Sequence, residues 1–84
     1  MSISPDSQRA DDEIVTLLSH WLVRTLGNDE LRKSIESIGT RELAPGQRDA
    51  VEELLTELRG ALPGERGDLE MVVRETLESL AYGD

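Results

Sequence analysis

The sequence predicts an all-α fold, a small four-helix bundle with short loops, and three observations carry that prediction. In residues 13–26, EIVTLLSHWLVRTL, apolar side chains recur densely at helical spacing. Three later stretches repeat the pattern as narrower stripes, spaced three and four residues apart. Between the stretches stand breakers: Gly27, Gly39, Pro45, Pro63, Gly64 and Gly67. The 84 residues make one domain. The expected organisation is a disordered lead-in over 1–9 and a single helical domain over 10–84. Its helices run about 11–26, 28–38, 45–62 and 68–82.

The first helix is read as the central one. Ile14, Leu17, Leu18, Trp21, Leu22 and Leu26 project to one side, with Val15 at the edge. Thr16, Ser19, His20 and Arg24 form the polar side. The apolar arc is wider than the roughly 100° stripe of an ordinary surface helix, so this helix needs neighbours on more than one flank. The third helix is placed against it. Asp11, Asp12 and Glu13 suit a helix start, and Gly27 is read as the left-handed stop. Before them, MSISPDSQR is polar and aperiodic.

Asn28 is read as the N-cap of the second helix, with Leu31, Ile35 and Ile38 inward and Gly39 closing it. Residues 40–44, TRELA, are either a linker or a single turn that docks Leu43 against the core. Pro45 suits the first turn of the third helix, where its missing N–H is not needed. There Val51, Leu54, Leu55, Leu58 and Leu62 form the inward stripe, flanked by Ala50 and Ala61. Residues 63–67 are a loop, and Asp68 is read as capping the fourth helix. Its inward side chains are Leu69, Val72, Val73, Leu77 and Leu80, with Gly83 at the end. Short loops favour antiparallel neighbours. An internal echo, LRKSIESI at 31–38 and VRETLESL at 73–80, fits two related helical hairpins and equally fits convergence of amphipathic helices.

Net charge of −9 and an isoelectric point near 4.5 oppose nucleic acid and anionic lipid as partners, since both are polyanionic. No apolar run approaches the roughly 18 residues of a membrane span, and the N-terminus lacks the basic and apolar regions of a signal peptide. The expected location is cytoplasmic. Eight Arg to one Lys, with abundant Leu and Gly, suggests a GC-rich bacterial genome. Without Cys there is neither a disulfide nor a thiolate zinc site, so the small core is closed by good packing, by a second copy or by a partner.

No constellation for chemistry emerges. His20 has Thr16 and Arg24 one turn away and no carboxylate or second ligand beside it. The paired acids Asp11/Asp12, Glu52/Glu53 and Asp49/Glu53 lie opposite apolar stripes, as solvated faces do. Lys33 is far from the glycines at 60, 64 and 67, so no phosphate loop is formed. Two aromatics, Trp21 and Tyr82, make no base-stacking platform. In size and acidity the chain resembles acyl carrier proteins, but their modifiable Ser in Asp-Ser-Leu has no counterpart. The nearest stretch is Gly67-Asp68-Leu69-Glu70-Met71, and no membership follows.

What remains is surface. Met71, Glu75, Glu78 and Tyr82, spaced four, three and four, form a second stripe on the fourth helix, opposite its core face. Val23, on the polar side of the first helix, is a further candidate. The reading is a non-catalytic protein–protein interaction module, an acidic helical adaptor, docking or regulatory domain without a metal or cofactor. Its partner is itself, as a homodimer, or a basic or amphipathic segment of a larger protein. The alternative is a carrier or accessory subunit holding an apolar ligand between helices for a partner enzyme.

Overall fold

A computed structural model of the chain describes residues 9–62 and 64–83. The lead-in expected over 1–9 falls outside the described residues except for Arg9. Four helices follow one another: α1 (Ala10–Leu22), α2 (Asn28–Ile38), α3 (Pro45–Gly60) and α4 (Gly67–Tyr82). The all-α four-helix bundle expected from the spacing is the architecture found.

The order of packing differs from the expected one. α1 lies against α2 and α4, and α3 lies against α4 and α2, so the helices close a four-membered circuit with α1 and α3 diagonal. Buried amides fix the directions. The Asn28 side chain at the start of α2 donates to the Leu62 and Glu65 carbonyls just beyond α3. The Gln47 side chain in the first turn of α3 donates to the Leu80 carbonyl near the end of α4. Each bond joins the start of one helix to the end region of another, so α2, α3 and α4 alternate in direction. The wide apolar arc of α1 is thereby accounted for. Ile14, Leu18 and Trp21 are fully buried, while Val15, Leu17 and Leu22 pack on the core's edge. Two flanking helices cover that arc, and a third facing helix is not required.

α1 stops at Leu22, four residues before the expected end, and Gly27 is not its stop. The last turn closes in a Schellman motif. The Arg24 N–H bonds the Trp21 carbonyl at 3.0 Å, and the Thr25 N–H bonds the His20 carbonyl at 3.0 Å. Thr25 Oγ1 donates to that same His20 carbonyl, a side-chain bond that competes with helix continuation. Arg24 therefore takes the left-handed conformation, φ 67°, that glycine ordinarily supplies. Arg24→Gly is expected to raise stability by about 0.5–1 kcal/mol, read as a higher urea midpoint with an unchanged slope. An unchanged or lower midpoint would mean that the Arg side chain offsets its backbone strain.

Gly27, with φ −86°, is instead the N-cap of α2, and Asn28 is its first helical residue. Glu30 Oε1 accepts the Gly27 N–H at 3.3 Å. Asn28 does not cap because its amide is turned inward to tertiary partners. Gly39, at φ 81°, closes α2 as expected, in a region that a Cβ disfavours. Of the two readings of residues 40–44, the docking turn is the one realised: Leu43 is buried and its N–H bonds the Thr40 carbonyl.

α3 begins at Pro45, after an extended Ala44 whose N–H is accepted by Gln47 Oε1 at 3.0 Å. Gln47 thus holds two backbone groups at once. Gln47→Ala is expected to cost about 1–2 kcal/mol, because the Ala44 N–H and the Leu80 carbonyl lose a partner in a buried setting. A thermal melt within a degree of the parent would refute that role.

α3 ends at Gly60 rather than 62, and Leu62 is exposed instead of inward. The residue before a proline is disfavoured in helix, and Ala61 is already extended. α4 starts at Gly67, one residue ahead of the expected Asp68 cap. Arg66 is the N-cap, and its carbonyl accepts the Glu70 N–H at 2.9 Å. Thr76, not foreseen as interior, is buried with its hydroxyl donated to the Val72 carbonyl.

Candidate partner-binding surface

α4 presents two opposite faces. Leu69, Val73, Thr76 and Leu80 are buried against the bundle, with Val72 and Leu77 at the margin. On the other side Met71, Glu75, Glu78 and Tyr82 are all exposed. At about 100° per residue these four fall within an arc of roughly 60°, and Met71 to Tyr82 spans about 16 Å along the axis. The structure therefore brings together four of the five residues singled out from the sequence. Val23 stands apart from that face, on the C-cap of α1.

The large apolar side chains at the surface are Tyr82 at 76% exposed, Val23 at 69%, Leu62 at 68% and Met71 at 65%. Leu62 was missed as a surface residue, although the following Pro63 was a usable signal. Asn28 holds the Leu62 carbonyl at 3.2 Å, which places Leu62 at the end of the bundle where α2 begins. Single exposed apolar side chains are ordinary on proteins, so the pair aligned on one face of α4 carries more weight than Val23 and Leu62, which lie on different elements.

The charge pattern sharpens the same face. Among the described residues, ion pairs join Arg9 to Asp11, Arg32 to Asp29 and Glu36, Lys33 to Asp29, and Arg59 to Glu36. Asp29 is held below the ordinary carboxylate range, first by the hydrogen bond from Arg32 and then by the Lys33 charge. Apart from the Arg9–Asp11 pair at the start of α1, that network serves α2 and its junction with α3. None of these pairs involves Glu75 or Glu78, and Arg74 beside them is exposed. The outer face of α4 thus carries acidic charge without a cation bonded to it among the described residues.

His20 is exposed, with Nδ1 3.4 Å from Thr25 Oγ1. Asp49, Glu52 and Glu53 are exposed on the outside of α3. Among the described residues no group of three or more His, Asp or Glu is placed to hold a metal ion. The α1–α2 groove, about 400 Å³, has Leu17 and Ile38 in its wall with Glu13, Thr16, Ser34 and Ser37, and it opens to solvent. No described helix is long and apolar enough to cross a membrane.

The densest polar arrangement is structural. Trp21 Nε1 donates to Asn28 Oδ1 at 2.7 Å, and Asn28 Nδ2 donates to the Leu62 and Glu65 carbonyls at 3.2 and 2.9 Å. The Arg66 guanidinium lies 3.8 Å from the Trp21 ring centroid and donates to the Trp21 carbonyl. This staple ties the α1–α2 turn to the α3–α4 turn. Comparison of the chain with protein-family models, with curated proteins and with solved structures finds no match.

Proposed function

We propose that this chain is a non-catalytic protein–protein interaction module, an acidic helical adaptor that docks another protein on the outer face of α4. The observation that carries the reading is the alignment of exposed Met71 and Tyr82 on one helix face, opposite a face that the bundle already buries. Met adapts to irregular surfaces, and Tyr offers an apolar ring with a polar tip, a pairing favoured at interfaces. The partner is a basic or amphipathic segment of a larger protein, or a second copy of the chain.

The test is Met71→Ser combined with Tyr82→Ser, probed with a synthetic amphipathic peptide carrying a Lys-containing apolar face. Both positions are exposed, so far-ultraviolet dichroism is expected to stay at the parent level. Peptide affinity is expected to fall about tenfold or more, as removal of the large apolar anchors of an interface does. Unchanged affinity would remove α4 from the reading. A second reading, a subunit holding an apolar ligand, draws on Leu17 and Ile38 in the α1–α2 groove. Decanoate that leaves both the melting temperature and Trp21 fluorescence unchanged would count against it.

A further inference from the structure

The spacing on α4 carries a finer message, which rests on the docking reading above. Steps of four, three and four place Met71, Glu75, Glu78 and Tyr82 at successive core positions of a heptad seam, the geometry with which one helix packs lengthwise on another. The core-facing residues Leu69, Val73, Thr76 and Leu80 fall off that seam, so it is free for a helix from outside. Its ends are apolar and its two central positions are acidic.

That centre discriminates between occupants. A second copy docked antiparallel on this seam would set Glu75 against Glu78 twice, and a parallel copy would set each Glu against its own equivalent. Either arrangement gathers four carboxylates at a contact from which water is being removed, a repulsive element of the kind that specificity uses. A helix with Lys or Arg at the two central positions and apolar residues at the outer two meets the seam with opposite charge and matching anchors. We infer that the outer face of α4 is a heptad docking seam for a basic amphipathic helix of another chain, and that Glu75 and Glu78 select that helix and reject a second copy.

Two experiments test this. Filling the seam with Glu75→Leu and Glu78→Leu is expected to turn a monomer into a dimer in light scattering, at concentrations where the parent stays monomeric. A monomeric leucine variant, or a parent that already dimerises with Met71 and Tyr82 in the contact, would overturn the inference. The second uses helical peptides with Leu, Lys, Lys, Leu at the matching spacing, and with Glu in place of Lys, followed by anisotropy. The parent is expected to prefer the Lys peptide by about tenfold or more at physiological salt, where exposed charges are screened beyond roughly 8 Å. Glu75→Lys with Glu78→Lys is expected to reverse that order. Glu52→Lys with Glu53→Lys on α3, an equal change in net charge, is expected to leave it standing.

If the α4 charge reversal leaves the preference unchanged while Met71→Ser with Tyr82→Ser abolishes binding, the selectivity is wrong and the docking face stands. If both reversals act alike, only net charge is being read and the inference falls. If the Lys peptide binds none of the variants and not the parent, both readings fall.

Discussion

Trp21→Ala is expected to cost about 3–5 kcal/mol and to lower the melting temperature by on the order of 20 °C. Trp21 is fully buried, the largest side chain in a small core. Its removal leaves a cavity in the one core cluster that also holds Ile14 and Leu18, with no second core to absorb the loss. It also takes the indole N–H from Asn28 Oδ1 and the ring from under Arg66. Trp21→Phe separates these effects, because it keeps an aromatic face for the guanidinium and most of the volume. That variant is expected to lose only about 1–3 kcal/mol, the cost of leaving the buried Asn28 oxygen without its donor. Thermal melts followed by far-ultraviolet dichroism measure both. A loss under about 1 kcal/mol for Trp21→Ala would mean that the ring is not packed as described.

Asn28→Ala is the second large effect, expected at about 2–4 kcal/mol. One carboxamide satisfies the Trp21 indole and two carbonyls of the α3–α4 turn, so its removal unties three groups at once. Asn28→Asp is the informative partner variant. It keeps an acceptor for the indole but loses both donors and aims a carboxylate at two carbonyl oxygens. Burial and those oxygens raise the folded-state pKa of such an Asp, so its destabilisation is expected to be full at neutral pH. It is expected to ease as pH falls through that raised value, when the folded state takes up the proton. A double-mutant cycle of Asn28→Ala with Trp21→Phe is expected to return a coupling of about 1–2 kcal/mol. Simple additivity would show that the 2.7 Å bond contributes nothing to stability.

Much of this molecule is legible in one dimension. The stripe Val51, Leu54, Leu55 and Leu58 is interior because those positions share one side of a helix, and all four are buried. Gly39, Pro45 and Gly83 mark ends of helices because their backbone preferences are local. The stripe from Met71 to Tyr82 faces outward for the same reason: a residue's angular place on a helix is fixed once the opposite face is apolar. Its exposure on the structure and its spacing in the sequence are therefore the same fact seen twice.

Tertiary structure decided what depends on a distant partner. Asn28 carries the signature of a cap, yet the carbonyls of Leu62 and Glu65, more than thirty residues away, turn it inward. Gln47 and Arg66 likewise meet partners on other elements, the Leu80 carbonyl and the Trp21 ring, that no local pattern announces. The early end of α1, by contrast, is local: it rests on the bonds that close residues 20–25 and leave Arg24 left-handed, a conformation that its side chain does not announce. The sequence by itself determined the four helices, most of their buried faces and the exposed stripe on α4. Only the folded chain decided which helices are neighbours and which polar groups are interior, because periodicity acts within one helix whereas a buried hydrogen bond needs both of its partners in space.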